Sequence, residues 1–167
     1  MKRASLIPAA VAAISIFLTA TGFQCGSSEM TTAKLAYSQH NLEKADSSFM
    51  KEVEKNPVNA EAWYYLGRVR LERGNYSGMA EAYKQSLSVS KDFEPKINDD
   101  KKYVWGQTLN QGVTFYNRSV ILGKDAATKD SSDLLRQKAI EAYKLALLVN
   151  PDSAMTYQNM AGALHVS

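Results

Sequence analysis

The chain has 167 residues, of which 45% are hydrophobic and 22% are charged, as expected for one soluble globular domain with a sizeable core. This composition argues against disorder along the main body. The formal charge of +3 includes Lys2 and Arg3, and without them 18 basic residues face 17 acidic ones, a balance of +1. The charge pattern therefore gives no reason to expect nucleic-acid binding.

The N-terminus, over residues 1–24, reads as a secretory signal. Lys2 and Arg3 form a short basic start, residues 4–23 carry no charge, and small residues follow the mostly apolar stretch 9–18. Basic residues at this place favour the cytoplasmic side of a membrane. We therefore expect the rest of the chain to be exported.

The chain contains one cysteine, Cys25, which directly follows this segment and precedes Gly26 and Ser27. This order resembles a bacterial lipoprotein signal, in which the cysteine is diacylated and becomes the new N-terminus. The resemblance implies lipidation at Cys25, a flexible tether over 25–31 that leads into the first repeat, and a place in the bacterial cell envelope, on the periplasmic side where the host has an outer membrane. Ordinary cleavage after Gly22 and an uncleaved membrane helix remain alternatives.

A 34-residue pattern begins at Ala60, and fragments of it recur before and after. It sets Trp63, Leu66 and Gly67 ahead of a Gly-Asn turn at 74–75, and Tyr83 follows. This spacing resembles the tetratricopeptide repeat, a helix pair in which small residues at places 8 and 20 let the helices approach and large residues at other places fill the space between units. The resemblance implies an all-α fold, a TPR-like α-solenoid of about seven helices over residues 32–167.

About three repeats and a terminal half-repeat fit this pattern. The first has Ala33 at place 8 and Phe49 at place 24, and the third has Gly112 and Tyr143 there. The third is irregular, because it starts 45 rather than 34 residues after the second. Fifteen extra residues between its helices predict a loop insertion near 123–133, with the helix N-cap among 131–133. Pro95 and residues 98–100 mark the long join before it, and residues 154–167 form the half-repeat, which either caps the stack or marks a truncated chain.

The polar residues do not form a recognisable catalytic constellation. The two histidines, His40 and His165, have no second ligand at metal-binding spacing. The acidic residues between 125 and 133 lack the alternation of a calcium loop. We therefore expect no enzyme activity, no catalytic residue, no metal site and no cofactor. An enzyme or metal protein that uses the 123–133 loop is the competing class.

The likeness to this repeat family also implies a partner-binding groove. In that family, places 2, 5, 9, 12 and 13 of the first helices point into a concave face. The corresponding residues are Lys34, Tyr37, Tyr64, Arg68, Glu72, Leu109, Tyr116, Asn117 and Gln158. These side chains would bind a peptide or helix of a protein partner, unless the tyrosines pack between units instead.

The predicted function is that of an exported, membrane-tethered interaction scaffold, for which assembly of an envelope complex is one role. The alternative is a structural envelope protein that forms homo-oligomers through its terminal half-repeat.

Overall fold

The computed structural model describes residues 27–165, and within that range it contains seven α-helices, a short 3-10 helix and no strand. The predicted all-α solenoid with seven helices is therefore confirmed. The helices are α1 Ser28–Ser38, α2 Leu42–Lys55, α3 Ala60–Glu72, α4 Tyr76–Val89, α5 Glu94–Leu122, α6 Lys129–Val149 and α7 Ala154–Leu164, with the 3-10 helix at Ala126–Thr128.

The segment predicted as a signal, residues 1–24, lies outside the described part of the chain, and so does Cys25. Among the helices that are described, none has both the length and the apolar character needed to cross a bilayer. The predicted tether over 25–31 overlaps a helix, because α1 already begins at Ser28. Ser27 is the N-cap of this helix, since its side chain accepts a hydrogen bond from the Met30 amide at 3.0 Å.

The helices pack as three successive pairs, α1 with α2, α3 with α4 and α5 with α6, and α7 covers the last pair. Three hydrophobic clusters join them. The first links the first two pairs through Phe49 and Leu66, and the second links α3 and α4 to α5 through Tyr83 and Ile97. The third joins α5, α6 and α7 around Tyr143. Because each pair buries its apolar side against its neighbours, the stack is held by contacts between units.

Asparagine residues set the starts of the first internal helices. Asn41, Asn59 and Asn75 are the N-caps of α2, α3 and α4, and each side-chain oxygen accepts from the amide three residues later, at 3.1, 3.0 and 2.9 Å. In the predicted turn at 74–75, only Gly74 has a left-handed backbone, with φ of 71°. The following asparagine keeps a negative φ because it serves as the cap.

The join predicted around Pro95 and residues 98–100 is wrong, because these residues form the first turns of α5. Proline is tolerated there since the amides of a helix's first turn have no intrahelical acceptor. Glu94 lies 34 residues after Ala60 and is thus the regular start of the next unit. The apparent start at Trp105 comes eleven residues later on the same long helix. Eleven residues make about three full helical turns, so counting the repeat from Glu94 or from Trp105 places equivalent side chains on the same side of α5.

The loop predicted at 123–133 is also too long, because α6 begins at Lys129 and only residues 123–128 lie between the two α-helices. Ser132 is not an N-cap: it is buried and its hydroxyl donates to the Ser119 carbonyl at 2.8 Å. The Thr128 hydroxyl donates to the Leu122 carbonyl at 2.5 Å, which closes the turn. The extra residues therefore lengthen both helices of the third pair.

Candidate partner-binding surface

Three of the predicted groove residues, Tyr37, Arg68 and Glu72, meet on the side of the stack formed by α1 and α3. The Tyr37 hydroxyl donates a hydrogen bond to the Glu72 carboxylate. Arg68 Nη2 lies 3.8 Å from Glu72 Oε1, and His40 Nδ1 lies 3.6 Å from its other oxygen. The end of α3 is thus tied to α1 by polar side chains.

Asp100 extends this network onto α5. Its Oδ1 accepts from Arg68 Nη1 at 2.7 Å, and its Oδ2 accepts from the Tyr83 hydroxyl at 2.5 Å. Two strong donors therefore offset the cost of burying this carboxylate. Burial, and then the hydrogen bond and charge of Asp100, raise the pKa of Tyr83 well above its ordinary range.

A cleft of about 590 Å³ opens beside this network, between the end of α3 and the first half of α5. Tyr103 stands at its edge with 57% of its surface exposed, and its hydroxyl accepts from Gln107 Nε2 at 2.6 Å. The lining residues are Arg68, Leu71, Glu72, Gly74, Tyr76, Asp99, Asp100, Tyr103 and Gln107. Three carboxylates face one guanidinium, so the cleft favours a partner group with positive charge.

Lys34 lies on the same side, on α1. Its ammonium group pairs with Glu61 at 2.8 Å and lies 5.6 Å from the centre of the Tyr65 ring. Both partners in the ion pair are exposed, so solvent screens this pair and it contributes little to stability. The lysine is therefore exposed on α1, and its place in a groove stays a prediction.

The prediction that Tyr64 and Leu109 line the groove is wrong. Tyr64 is only 7% exposed and stacks on Phe93 at 4.7 Å between ring centres, with Tyr83 at 6.0 Å. Leu109 is buried in the cluster that joins the last three helices. Both residues pack between units, which is the alternative that the sequence left open for the tyrosines.

The remaining predicted residues lie away from the cleft lining. Tyr116 is half-buried in the α5–α6–α7 cluster, beside Gly162. Asn117 and Gln158 are exposed on α5 and α7. Of the predicted groove residues, the structure thus brings together Tyr37, Arg68 and Glu72 of the first two units but none of the last two.

Sequence reasoning missed Asp99, Asp100 and Tyr103, because they fell in the supposed join. Counting one full repeat of 34 residues from the start of the second unit would have found them. Thirty-four residues after Ala60 is Glu94, and this register places Ile97 at place 4, which is buried as the pattern requires.

Within residues 27–165, no group of three or more His, Cys, Asp or Glu side chains is arranged to hold a metal ion.

Comparison with known families agrees with this architecture. Residues 48–81 match the family model described as tetratricopeptide repeat, a stretch that runs from the second half of α2 through α3 into α4. No protein with a curated description matches the chain. The chain therefore contains a tetratricopeptide repeat within its all-α stack of helix pairs, and repeats of this kind indicate a scaffold for protein–protein interaction.

Proposed function

We propose that the protein binds a peptide or helix of a partner protein across the face formed by α1, α3 and α5, while lipid at Cys25 tethers it in a bacterial cell envelope. The observation that carries the binding proposal is the cleft beside Arg68. It is open, it is lined by groove positions of α3 and by residues of the first half of α5, and its polar walls are fixed by the network through Asp100. Fixed polar walls reduce the entropy lost on binding.

The lining indicates which partner segment fits. Glu72, Asp99 and Asp100 outnumber Arg68, so a lysine or arginine of the partner gains favourable charge interactions there. Tyr76 and Tyr103 offer phenol rings that contact the apolar stem of such a side chain. The best match is therefore a short segment with a basic residue between apolar ones, and the role is recognition rather than catalysis.

The tether proposal draws on the sequence alone. The basic start, the uncharged stretch 4–23 and the following cysteine support export and acylation. Two or more acyl chains bind a bilayer firmly, since each buried methylene contributes about 0.8 kcal/mol. A tethered scaffold meets its partner at a raised local concentration, which suits a role in assembling an envelope complex.

The binding proposal is tested by affinity capture from envelope extracts, followed by calorimetry with the captured partner. We expect Asp99→Lys and Tyr103→Ala to weaken the affinity by about tenfold or more. Both residues are exposed, so neither change opens the core. Val58→Ala, on the exposed turn between α2 and α3, is the control and should leave the affinity unchanged. Equal affinity for all four proteins would refute the cleft as the site.

The tether is tested by mass spectrometry of the mature protein and by membrane fractionation. A mature N-terminus at a diacylated Cys25, together with release of the Cys25→Ala variant from membranes, is the expected result. A mature chain that begins at Phe23 and is free of membranes would instead show ordinary cleavage after Gly22.

Self-association is the second candidate function, and one observation favours it. Helix α7 contains no charged residue, yet Tyr157 and Leu164 are 49% and 59% exposed on it. An uncharged apolar helix face suits a contact between copies. Sedimentation at several concentrations tests it: Tyr157→Lys and Leu164→Lys should shift any dimer to monomer, and a wild type that stays monomeric throughout would refute it.

A further inference from the structure

A separate cleft of about 380 Å³ lies between α5 and α6 in the third helix pair. Phe115 and Leu145 are half-buried in it, and Leu134 is 53% exposed at its edge. Its lining comprises Gln111, Phe115, Leu134, Gln137, Lys138, Glu141, Ala142 and Leu145. The equivalent place in the second helix pair shows what can cover an apolar cleft of this kind.

In the second helix pair, α2 fills the corresponding cleft between α3 and α4. Leu66 and Ala82 hold the places of Gln111 and Ala142, and both are fully buried in one cluster with Phe49 and Val53 of α2. The place of Phe115 is held by Arg70.

That arginine is also bound by α2. Arg70 Nη2 contacts the Met50 sulfur at 3.0 Å, and its Nε pairs with Asp46 at 3.3 Å. An amphipathic helix thus occupies this face in the regular part of the stack, and one of its acidic residues, Asp46, pairs with the arginine beneath it.

Among the helices described between residues 27 and 165, none covers the third pair in this way, because α5 is extended by three turns at its start. Helix α4 packs with Ile97 and Val104 in this extension, and α6 joins their cluster only through Val149 near its end. Eleven extra residues displace the α5–α6 pair by about 16 Å along the helix axis. The body of α6 therefore lies beyond α4, and the cleft that a preceding second helix would fill stays open.

We propose that this cleft binds an amphipathic helix of a partner protein, which takes the position on the third pair that α2 takes on the second. Its apolar stripe lies on Phe115, Ala142 and Leu145, and an acidic residue beside the stripe pairs with the exposed Lys138. The charge at the rim supports this choice, because Glu141 is already paired with Lys144 at 2.8 Å. This surface is distinct from the cleft beside Arg68, and the inference stands whether or not that cleft binds a peptide.

The probe is a synthetic peptide of residues 41–56, which is α2 with its two capping residues. A lactam that joins Lys51 to a Ser47→Glu substitution keeps it helical, since so short a helix is marginal in water, and both positions are exposed on α2. Fluorescence anisotropy of the labelled peptide with the full chain should show saturable binding. Leu134→Glu should weaken it by at least tenfold and Lys138→Glu by about threefold, while Asp99→Lys in the other cleft leaves it unchanged.

Circular dichroism checks that these variants fold, and Leu134 and Lys138 were chosen because both are exposed. The absence of saturable binding would overturn the proposal, as would equal weakening by Asp99→Lys. Sedimentation tests whether the cleft is instead filled by a second copy of the chain. Should the wild type dimerise and Leu134→Glu abolish the dimer, the occupant is a second copy of the chain and the proposed partner helix is wrong.

Discussion

The ring of Tyr83 lies against the bare backbone of Gly67, so closely that a Cβ at this glycine would overlap the ring. The same relationship holds between Tyr143 and Gly112 in the third pair. In both cases the glycine on the first helix lets the second helix approach, and the aromatic ring fills the contact. The two glycines are therefore fixed by packing, since both have ordinary helical backbone angles.

We predict that Gly67→Ala lowers the free energy of unfolding by about 1–3 kcal/mol, because the added methyl group forces the buried Tyr83 ring to move. Gly112→Ala should act in the same way on Tyr143. Urea denaturation followed by circular dichroism measures both.

Gly106 provides the matched control, since it lies within α5 and nothing surrounds the position of its missing Cβ. Gly106→Ala should raise stability by about 0.5–1 kcal/mol, because alanine is the better helix former. Similar effects at all three glycines would contradict the packing argument.

The second prediction concerns Glu52, whose side chain is hydrogen-bonded to the N-cap residues of two helices. This buried carboxylate on α2 accepts from the Ser27 hydroxyl and, at 2.8 Å, from Asn59 Nδ2, the N-cap residues of α1 and α3. Glu52→Ala leaves both donors without this acceptor, and we expect a loss of about 1–3 kcal/mol in thermal unfolding. Glu52→Gln should lose less, because its amide oxygen still accepts one of the two hydrogen bonds. The control is Glu54→Ala, an exposed residue on the same helix; a loss as large there would rule out the capping role.

The buried hydroxyl of Tyr83 predicts a dependence of stability on alkaline pH. Burial and Asp100 raise its pKa in the folded state above the ordinary value of 10.0. Its contribution to stability is then fully present below pH 10 and is lost as the pH rises, because the unfolded chain releases the proton first. One such group changes the free energy of unfolding by about 1.4 kcal/mol per pH unit.

Denaturant titrations between pH 9 and pH 11 measure this slope. Tyr83→Phe should make the slope near pH 11 shallower by about one proton, because the unfolded tyrosine is almost fully ionised there. A variant with the same slope as the wild type would show that Tyr83 ionises normally in the folded protein.

The sequence predicts the parts of the fold that depend on spacing within one helix pair. Gly67 and Tyr83 are sixteen residues apart and Gly112 and Tyr143 are thirty-one apart, yet both pairs meet as their places in the repeat require. Contacts between units are less predictable. Tyr64 occupies a groove place, but Phe93 from the following segment covers it, and a single-repeat pattern contains no information on that segment.

The candidate site shows the same limit. Arg68 and Glu72 can be assigned to the site from their places in the repeat on α3. Asp100 can be assigned to it only once residues 94–104 are known to be helical. The long join concealed this, because proline and a run of polar residues usually mark a turn. Here the proline lies in the first turn of α5, and Asp99 and Asp100 line the cleft.

Amide exchange provides the last prediction and tests how the third pair closes. From the sequence alone, fast exchange is expected throughout 120–135. The structure narrows this range to 124–127, because the Gly123 amide donates to the Ser119 carbonyl at 2.8 Å and residues from Lys129 onward are helical. These few amides should exchange at least 100-fold faster than those of α3. Ser132→Ala removes the hydrogen bond to Ser119 and should extend fast exchange into the first turn of α6. Protection that is uniform from 120 to 135, or fast exchange up to 135 in the wild type, would contradict the turn as described.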